Sequence, residues 1–274
     1  MRPLADFSPK HRAGIRGLLF DIDDTLTTDG RLTAEAYAAV EVLKNAGLIV
    51  VPITGRPAGW CDHIARMWPV DGVIGENGGF YFFYDHVDKK LSQRFVKAAS
   101  EREVDRTQLT RVANRILMQV PGTALASDQK YRETDIAIDF CEDVPALPRD
   151  AVHRVRSIME SAGLTAKVSS IHVNGWFGGY DKLTTTKLFM RERCGLDLDL
   201  HKTEFVFVGD SPNDQPMFGY FPLSVGVANV KNFADIISTK PAYVTAAACG
   251  AGFAELANAI LAVPTDFNGD DSSA

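Results

Sequence analysis

Asp21 and Asp23 stand two residues apart, directly after the apolar run Gly17-Leu18-Leu19-Phe20, with Asp24 and Thr25 behind them. On an extended segment, residues two apart face the same side, so both carboxylates point at one spot. Like charges that close repel and raise a pKa unless something compensates them. A hard divalent cation with oxygen ligands is the usual compensation. A strand that simply ended in a polar turn would account for one acid here. The spacing Asp-x-Asp-x-Thr fits that reading poorly. Three more polar clusters recur along the chain: Thr54-Gly55, Lys182, and Asp210-Ser211-Pro212-Asn213-Asp214. Alone, each has an ordinary explanation as a helix cap, a solvated lysine or a turn. Ligands of open parallel sheets bind beyond the carboxyl ends of the strands. Together, and in this order, the four clusters make a site for a metal-bound phosphoryl group.

The elements that position these clusters follow from periodicity. Thr33 is the N-cap of a helix running to about residue 45, with Ala36, Val40 and Leu43 inward and Gly47 ending it. Residues 48–53 form a second apolar strand that delivers Thr54-Gly55-Arg56, and Pro57 suits the first turn of the next helix. Residues 73–74 form a short third strand. Continuous apolar strands alternating with helices indicate a parallel sheet covered on both faces. The pattern then changes. Strands are expected at 80–84 and 94–96, a helix at 102–119, strands near 123–126 and 136–140, a helix at 149–162, and strands at 165–169 and 172–176. Such pairs with hairpin-like links read as an α+β unit with an antiparallel sheet. The first pattern returns with a helix at 184–194, strands at 204–208 and 223–228, and a helix at 252–261. The fold class is therefore α/β: a Rossmann-like parallel-sheet core, residues 1–79 and 179–274, interrupted by an α+β domain at 80–178. The expected joints are Gly78-Gly79 and Gly178-Gly179.

Composition narrows the function. The 274 residues are 46% hydrophobic, enough for a substantial core, and the net charge is −6. With no basic run, neither nucleic acid nor an anionic membrane is the expected partner. Cys61, Cys141, Cys194 and Cys249 are far apart and form no Cys-x-x-Cys pair, which argues against a metal cluster or a disulfide framework. The first sixteen residues contain no apolar h-region, and no run reaches transmembrane length, so a cytoplasmic location is expected. The acidic end, 266–274, is expected to fray.

With these motifs in order, the chain resembles the haloacid dehalogenase superfamily of phosphatases. The matching residues are Asp21-Ile22-Asp23-Asp24-Thr25, Thr54, Lys182, and Gly209-Asp210-Ser211-Pro212-Asn213-Asp214. Only 28 residues lie between Thr25 and Thr54, so the insertion falls between Thr54 and Lys182. That is the subclass IIB, Cof-like arrangement shared by sugar-phosphate phosphatases and phosphomannomutases. Asp24 stands where many members carry Gly.

The resemblance implies a set of roles. Asp21 would be the nucleophile, forming an aspartyl-phosphate. Asp23 would be the general acid and then the base, with its backbone carbonyl reaching the metal. Asp21 and Asp210 would bind Mg²⁺ through their carboxylates, and Asp214 would orient the metal's waters or ligate less directly. Thr54, the Gly55 backbone N–H, Lys182 and Asn213 would hold the phosphoryl oxygens. The inserted domain would be a cap that closes over the site and chooses the substrate. Within it, Arg132 and Glu133 are the expected leaving-group contacts, with His172 and Asn174 as further candidates. Trp60, Trp68 and Trp176 are expected to pack in the core. The implied partner is a small phosphorylated metabolite, with a sugar phosphate as the leading substrate. A phosphomannomutase-like phosphomutase remains the alternative, and a non-catalytic sugar-phosphate-binding protein fits less well because Asp21 and Asp23 are both present.

Overall fold

Every residue of Gly17–Phe20 is buried, and this segment is an inner strand of a parallel sheet. The computed structural model describes residues 1–262. In chain order its first elements are β1 (Arg2–Pro3), α1 (Pro9–Ala13), β2 (Gly17–Phe20), α2 (Ala34–Asn45), β3 (Ile49–Pro52), α3 (Ala58–Met67) and β4 (Val73–Gly75). Next come β5 (Phe80–Asp85), β6 (Lys90–Phe95), α4 (Ala99–Gln119), β7 (Ala124–Leu125), β8 (Ile136–Asp139), α5 (Arg149–Ser161), β9 (Thr165–Val168) and β10 (His172–Trp176). The chain ends with α6 (Lys182–Cys194), α7 (Leu198–His201), β11 (Phe205–Gly209), α8 (Gln215–Tyr220), β12 (Leu223–Gly226), β13 (Tyr243–Val244) and α9 (Cys249–Leu261). The end expected to fray, 266–274, lies outside the described residues.

The first sheet has the order β1-β13-β12-β11-β2-β3, and every pairing is parallel. Its apolar strands are covered on both faces, as the unbroken hydrophobic runs require. Leu18 and Phe20 join Val40, Leu43, Phe253 and Leu256 of α2 and α9 on one side. Leu19 joins Phe189 of α6 and Phe205 and Phe207 of β11 on the other. Burying each large side chain such as Phe20 contributes about 1.5–3 kcal/mol. Strands β1 and β13 have two residues each, too few to show a period in sequence. Among the described residues no helix is long and apolar enough to cross a membrane.

A second sheet, antiparallel in the order β7-β8-β10-β9, comes from the middle of the chain. Helices α4 and α5 cover one face, packing Ile116, Val155 and Met159 on Ile136, Ile138 and Val173. Strand alternation then turns His172 and Asn174, the neighbours of Val173, to the opposite face.

The hairpin β5–β6 falls elsewhere than the sequence pattern places it. It pairs antiparallel with β4, forming a third sheet, β4-β5-β6. Phe80 and Phe82 pack with Cys61, Ile64 and Val73, while Tyr81 packs with Phe189. The hairpin thus packs on α3 and α6 beside the parallel sheet, and the chain does not leave these layers at residue 80. The chain passes to α4 through residues 96–98. Lys97 there lies beside Gly178, where the chain returns. Gly78 is required for another reason: its φ is 107°, and a Cβ would sit 2.2 Å from the Asp181 carbonyl oxygen. Trp176 is buried, whereas Trp60 is 43% exposed and lies beneath the Arg56 guanidinium.

Candidate active site

The register of the parallel sheet levels three strand ends. Asp21 donates its N–H to Val208 O across β2 and β11, and Ile53 donates to Phe20 O across β2 and β3. Asp21, Thr54 and Asp210 therefore emerge side by side. Asp24 follows in left-handed backbone, φ 56°, a conformation that glycine adopts without cost.

Helix α6 supplies the lysine. Asp181 caps it by accepting from Thr184 N, and Thr184 Oγ1 accepts in turn from Asp181 N. This reciprocal cap starts the helix at Lys182, two residues earlier than its periodicity indicates. Lys182 is 2% exposed, and its Nζ donates to Asp21 Oδ1 at 2.6 Å and to Asp214 Oδ1 at 2.8 Å. Asp214 Oδ2 accepts from the N–H groups of Asp210 and Ser211, which ties the loop after β11 to the same lysine. Asp210 accepts from Thr25 Oγ1 and Asn229 Nδ2.

Asp21, Asp210 and Asp214 each offer a carboxylate oxygen, and these atoms lie within 4.8 Å of one another. Burial, reinforced by Asp214 and Asp23, pushes the Asp21 carboxyl up to about 8 against the pull of Lys182. Burial and the neighbouring Asp21 and Asp214 also push Asp210 well above the carboxylate range. Three buried carboxylates facing one lysine leave an excess of negative charge on hard oxygen donors. That donor set fits a divalent metal ion. The Asp23 carboxylate is not part of this set, because it is turned to Arg56.

Arg56 has no role in the sequence reading, yet it joins the site. It follows Thr54-Gly55, and its only signal is a cation at the end of a strand. Arg56 Nε and Nη2 both contact Asp23 Oδ1, at 2.8 and 2.7 Å. Nη2 also reaches Glu142 Oε1 at 2.7 Å, and Nη1 lies 3.5 Å from Asp128, so one core side chain holds two residues of the inserted segment. Burial alone would push Glu142 up, but His172 and Arg56 hold it down at about 2. His172 Nε2 lies 2.9 Å from Glu142 Oε2, yet off the line that a hydrogen bond needs.

A narrow cavity brings Asp21, Asp23, Gly55 and Asn213 of the core together with His172 and Asn174 of the second sheet. Thr54 is fully buried beneath it, with Oγ1 accepting from Arg56 N. The other two expected substrate contacts are not there. Arg132 has no exposed side-chain surface, because Asp128 and Asp135 capture its guanidinium and Nη1 donates to Gly55 O at 2.8 Å. It holds the Gly55 backbone instead of facing a leaving group. Glu133 points outward to Arg106 at 3.0 Å. Its backbone N–H is drawn the other way, to Glu76. A second cavity of about 240 Å³ adjoins through Asp23 and Arg56, and is lined also by Asp24, Asp29 and Glu142.

Glu76 locks the inserted segment to the core. Its buried carboxylate accepts from Ala58 N at the start of α3 and from Glu133 N, Thr134 N and Thr134 Oγ1. Burial, with Asp135 nearby, raises it to about 7 against the pull of Arg132. A raised carboxyl adds stability that is full below its unfolded value, near 4.5, and is lost as pH rises through about 7. Its ionisation should therefore lower stability between pH 5 and 8 by up to about 3 kcal/mol. Thermal melts should show Glu76→Gln close to the parent at pH 5, where both side chains are neutral. The variant should also have a flatter decline towards pH 8. Parallel pH profiles for the two proteins would refute this.

The fold and the site together define a class. A family model for haloacid dehalogenase-like hydrolases matches residues 18–132. A phosphoglycolate phosphatase of Pyrobaculum aerophilum is 30% identical over 252 residues, covering 89% of this chain and 95% of that protein. The phosphoglycolate phosphatase of Methanospirillum hungatei is 27% identical over 248 residues, covering 88% of this chain and 95% of its own. The chain belongs to the haloacid dehalogenase-like hydrolases, as an enzyme that hydrolyses phosphate monoesters of small molecules. Among solved structures, a Thermoplasma acidophilum protein superposes with a TM-score of 0.66 at 22% identity, over 90% of this chain and 98% of that one. The sucrose-phosphatase of Synechocystis does so with a TM-score of 0.61 at 14% identity, over 90% and 98%. These two likenesses concern the fold.

Proposed function

We propose that this chain is a Mg²⁺-dependent phosphatase that works through an aspartyl-phosphate on Asp21. The observation that carries the reading is the lysine-bridged carboxylate cluster of Asp21, Asp210 and Asp214 at the ends of β2 and β11. Lys182 takes Asp21 Oδ1, which leaves Oδ2 to attack phosphorus. The new Oδ2–P bond replaces the ester P–O bond, and Asp23 gives its proton to the departing oxygen. Arg56 grips only Oδ1 of Asp23, so Oδ2 remains to carry that proton. Water then cleaves the acyl phosphate, and Asp23 takes a proton back. Lys182, the Gly55 N–H and Asn213 hold the phosphoryl oxygens. Asp21, Asp210 and Asp214 would hold Mg²⁺, which when bound supplies charge neutralisation to the phosphoryl group.

The segment 97–178 acts as the cap, and its open sheet face presents His172 and Asn174 to the leaving group. Arg56–Glu142 and Glu76–Thr134 hold it closed, and the exclusion of water strengthens each charge interaction inside. Asp24, Asp29 and Glu142 beside Asp23 are acceptors that suit a leaving group rich in hydroxyls, hence a sugar phosphate. The phosphoglycolate phosphatases among the relatives favour a second reading, a short carboxylated ester. Phosphate release should be measured with Mg²⁺ over hexose phosphates, phosphoglycolate and para-nitrophenyl phosphate. Turnover is expected with at least one, and chelation should stop it reversibly. No release from any ester would overturn the phosphatase, and full rate in chelator would overturn the metal.

A further inference from the structure

Asn77 follows β4 and took no part in the roles above, yet its side chain lies against Asn213 and Gly55 of the site. We infer that Asn77 Nδ2 is a phosphoryl-oxygen donor of the binding pocket, beside Gly55. The inference rests on the phosphatase reading and extends its binding site.

Asn77 is 2% exposed, and among the described residues its Nδ2 has no hydrogen-bond partner. Leaving a buried amide donor unpaired costs about 1–3 kcal/mol, so such atoms call for an explanation. The orientation of the amide is assigned from its partner: Oδ1 accepts from Asn213 Nδ2 at 3.3 Å, and flipping Asn77 alone would set two NH₂ groups against each other. Nδ2 therefore faces away from Asn213, towards Gly55. A Cβ on Gly55 would lie 3.1 Å from Asn77 Nδ2 and 3.7 Å from Asn174 Oδ1. The missing side chain of Gly55 keeps open a space on which one amide of the core and one of the cap converge. Gly55, Asn174 and Asn213 all line the cavity that contains Asp21.

The backbone is held at a cost to place this amide. Glu76 and Asn77 both take left-handed conformations, φ 45° and 54°, worth of order 1–3 kcal/mol each. Asn77 N donates to Thr54 O at 3.0 Å, and the Glu76 carboxylate anchors the other side of the turn. A turn needed only for its shape would be served by glycine.

Two variants separate the amide from the fold. Asn77→Gly accepts the left-handed backbone and removes both the donor and the acceptor that Asn213 uses. Asn77→Asp keeps the shape and the acceptor for Asn213, but sets an oxygen where Nδ2 was. The probe is inorganic phosphate, titrated calorimetrically into the Mg²⁺-loaded protein, with thermal melts of each variant alongside. Phosphate affinity should fall about tenfold in Asn77→Gly and further in Asn77→Asp, with the Gly variant melting no lower than the parent. Unchanged phosphate affinity in both variants would overturn the inference, as would a loss in Asn77→Gly that appears only with a lowered melting temperature. If the parent bound phosphate through Asn77 yet released none from any ester, the phosphatase reading would fail and this one would stand.

Discussion

Asp21→Asn is expected to lower turnover of every phosphate ester by more than about 10⁴-fold while leaving the protein folded. The amide is isosteric and still offers Lys182 an acceptor at the position of Oδ1, so the bridge from β2 to α6 is kept. What disappears is the proposed nucleophile, and the adjacent carboxylates are already engaged, Asp210 by Thr25 and Asn229. Asp214 Oδ2 is taken up by the N–H groups of Asp210 and Ser211, and Asp23 is gripped by Arg56. Stability should hold or rise, because the substitution removes a carboxyl whose ionised form burial disfavours. Phosphate release and a melting curve on the same preparation provide the check. Retention of more than about a hundredth of the parent rate would exclude Asp21 as the attacking group.

The second large effect is on the fold. Lys182→Met replaces the ammonium by an apolar chain of similar length and leaves Asp21, Asp210 and Asp214 buried without a cation. Removing one partner of a buried pair costs about 3–5 kcal/mol, since the remaining charge is uncompensated. In a chain of this size that is a fall in melting temperature of roughly 10 °C. Turnover should also fall, by roughly 10²–10³-fold, because the phosphoryl dianion loses a fixed positive charge. Melts in chelator and then in Mg²⁺ distinguish electrostatic from packing loss: an electrostatic loss is partly restored by the ion, which binds only the folded cluster. An unchanged melting temperature in chelator would show that the carboxylates find compensation elsewhere.

The local rules of the sequence reached far into the core. Leu18, Leu19 and Phe20 are buried on both faces because an unbroken apolar strand admits no exposed side. The period-2 spacing of His172 and Asn174 brought both to the cavity face once α4 and α5 had covered Val173. The failures have equally physical causes. Phe80 to Phe83 read as the start of a new domain because the strand pattern changes there. It is a pairing partner, β4, and the apolar side of α3 that hold the hairpin in the core. Arg132 was the most conspicuous cation in its segment. Its role was decided by Asp128 and Asp135, four and three residues away, which capture it before a ligand can.

By itself, then, the chain determined the parallel sheet, the carboxylates at its strand ends and the phosphoryl chemistry that they imply, because those depend on spacing within a few residues. Only the tertiary structure decided which groups surround the reacting ester. Arg56 meets Glu142 across 86 residues, and Lys182 meets Asp21 across 161. Asn77 reaches Asn213 across 136. Contacts of that range depend on strand register and on how the inserted sheet seats against the core, and no local pattern encodes either.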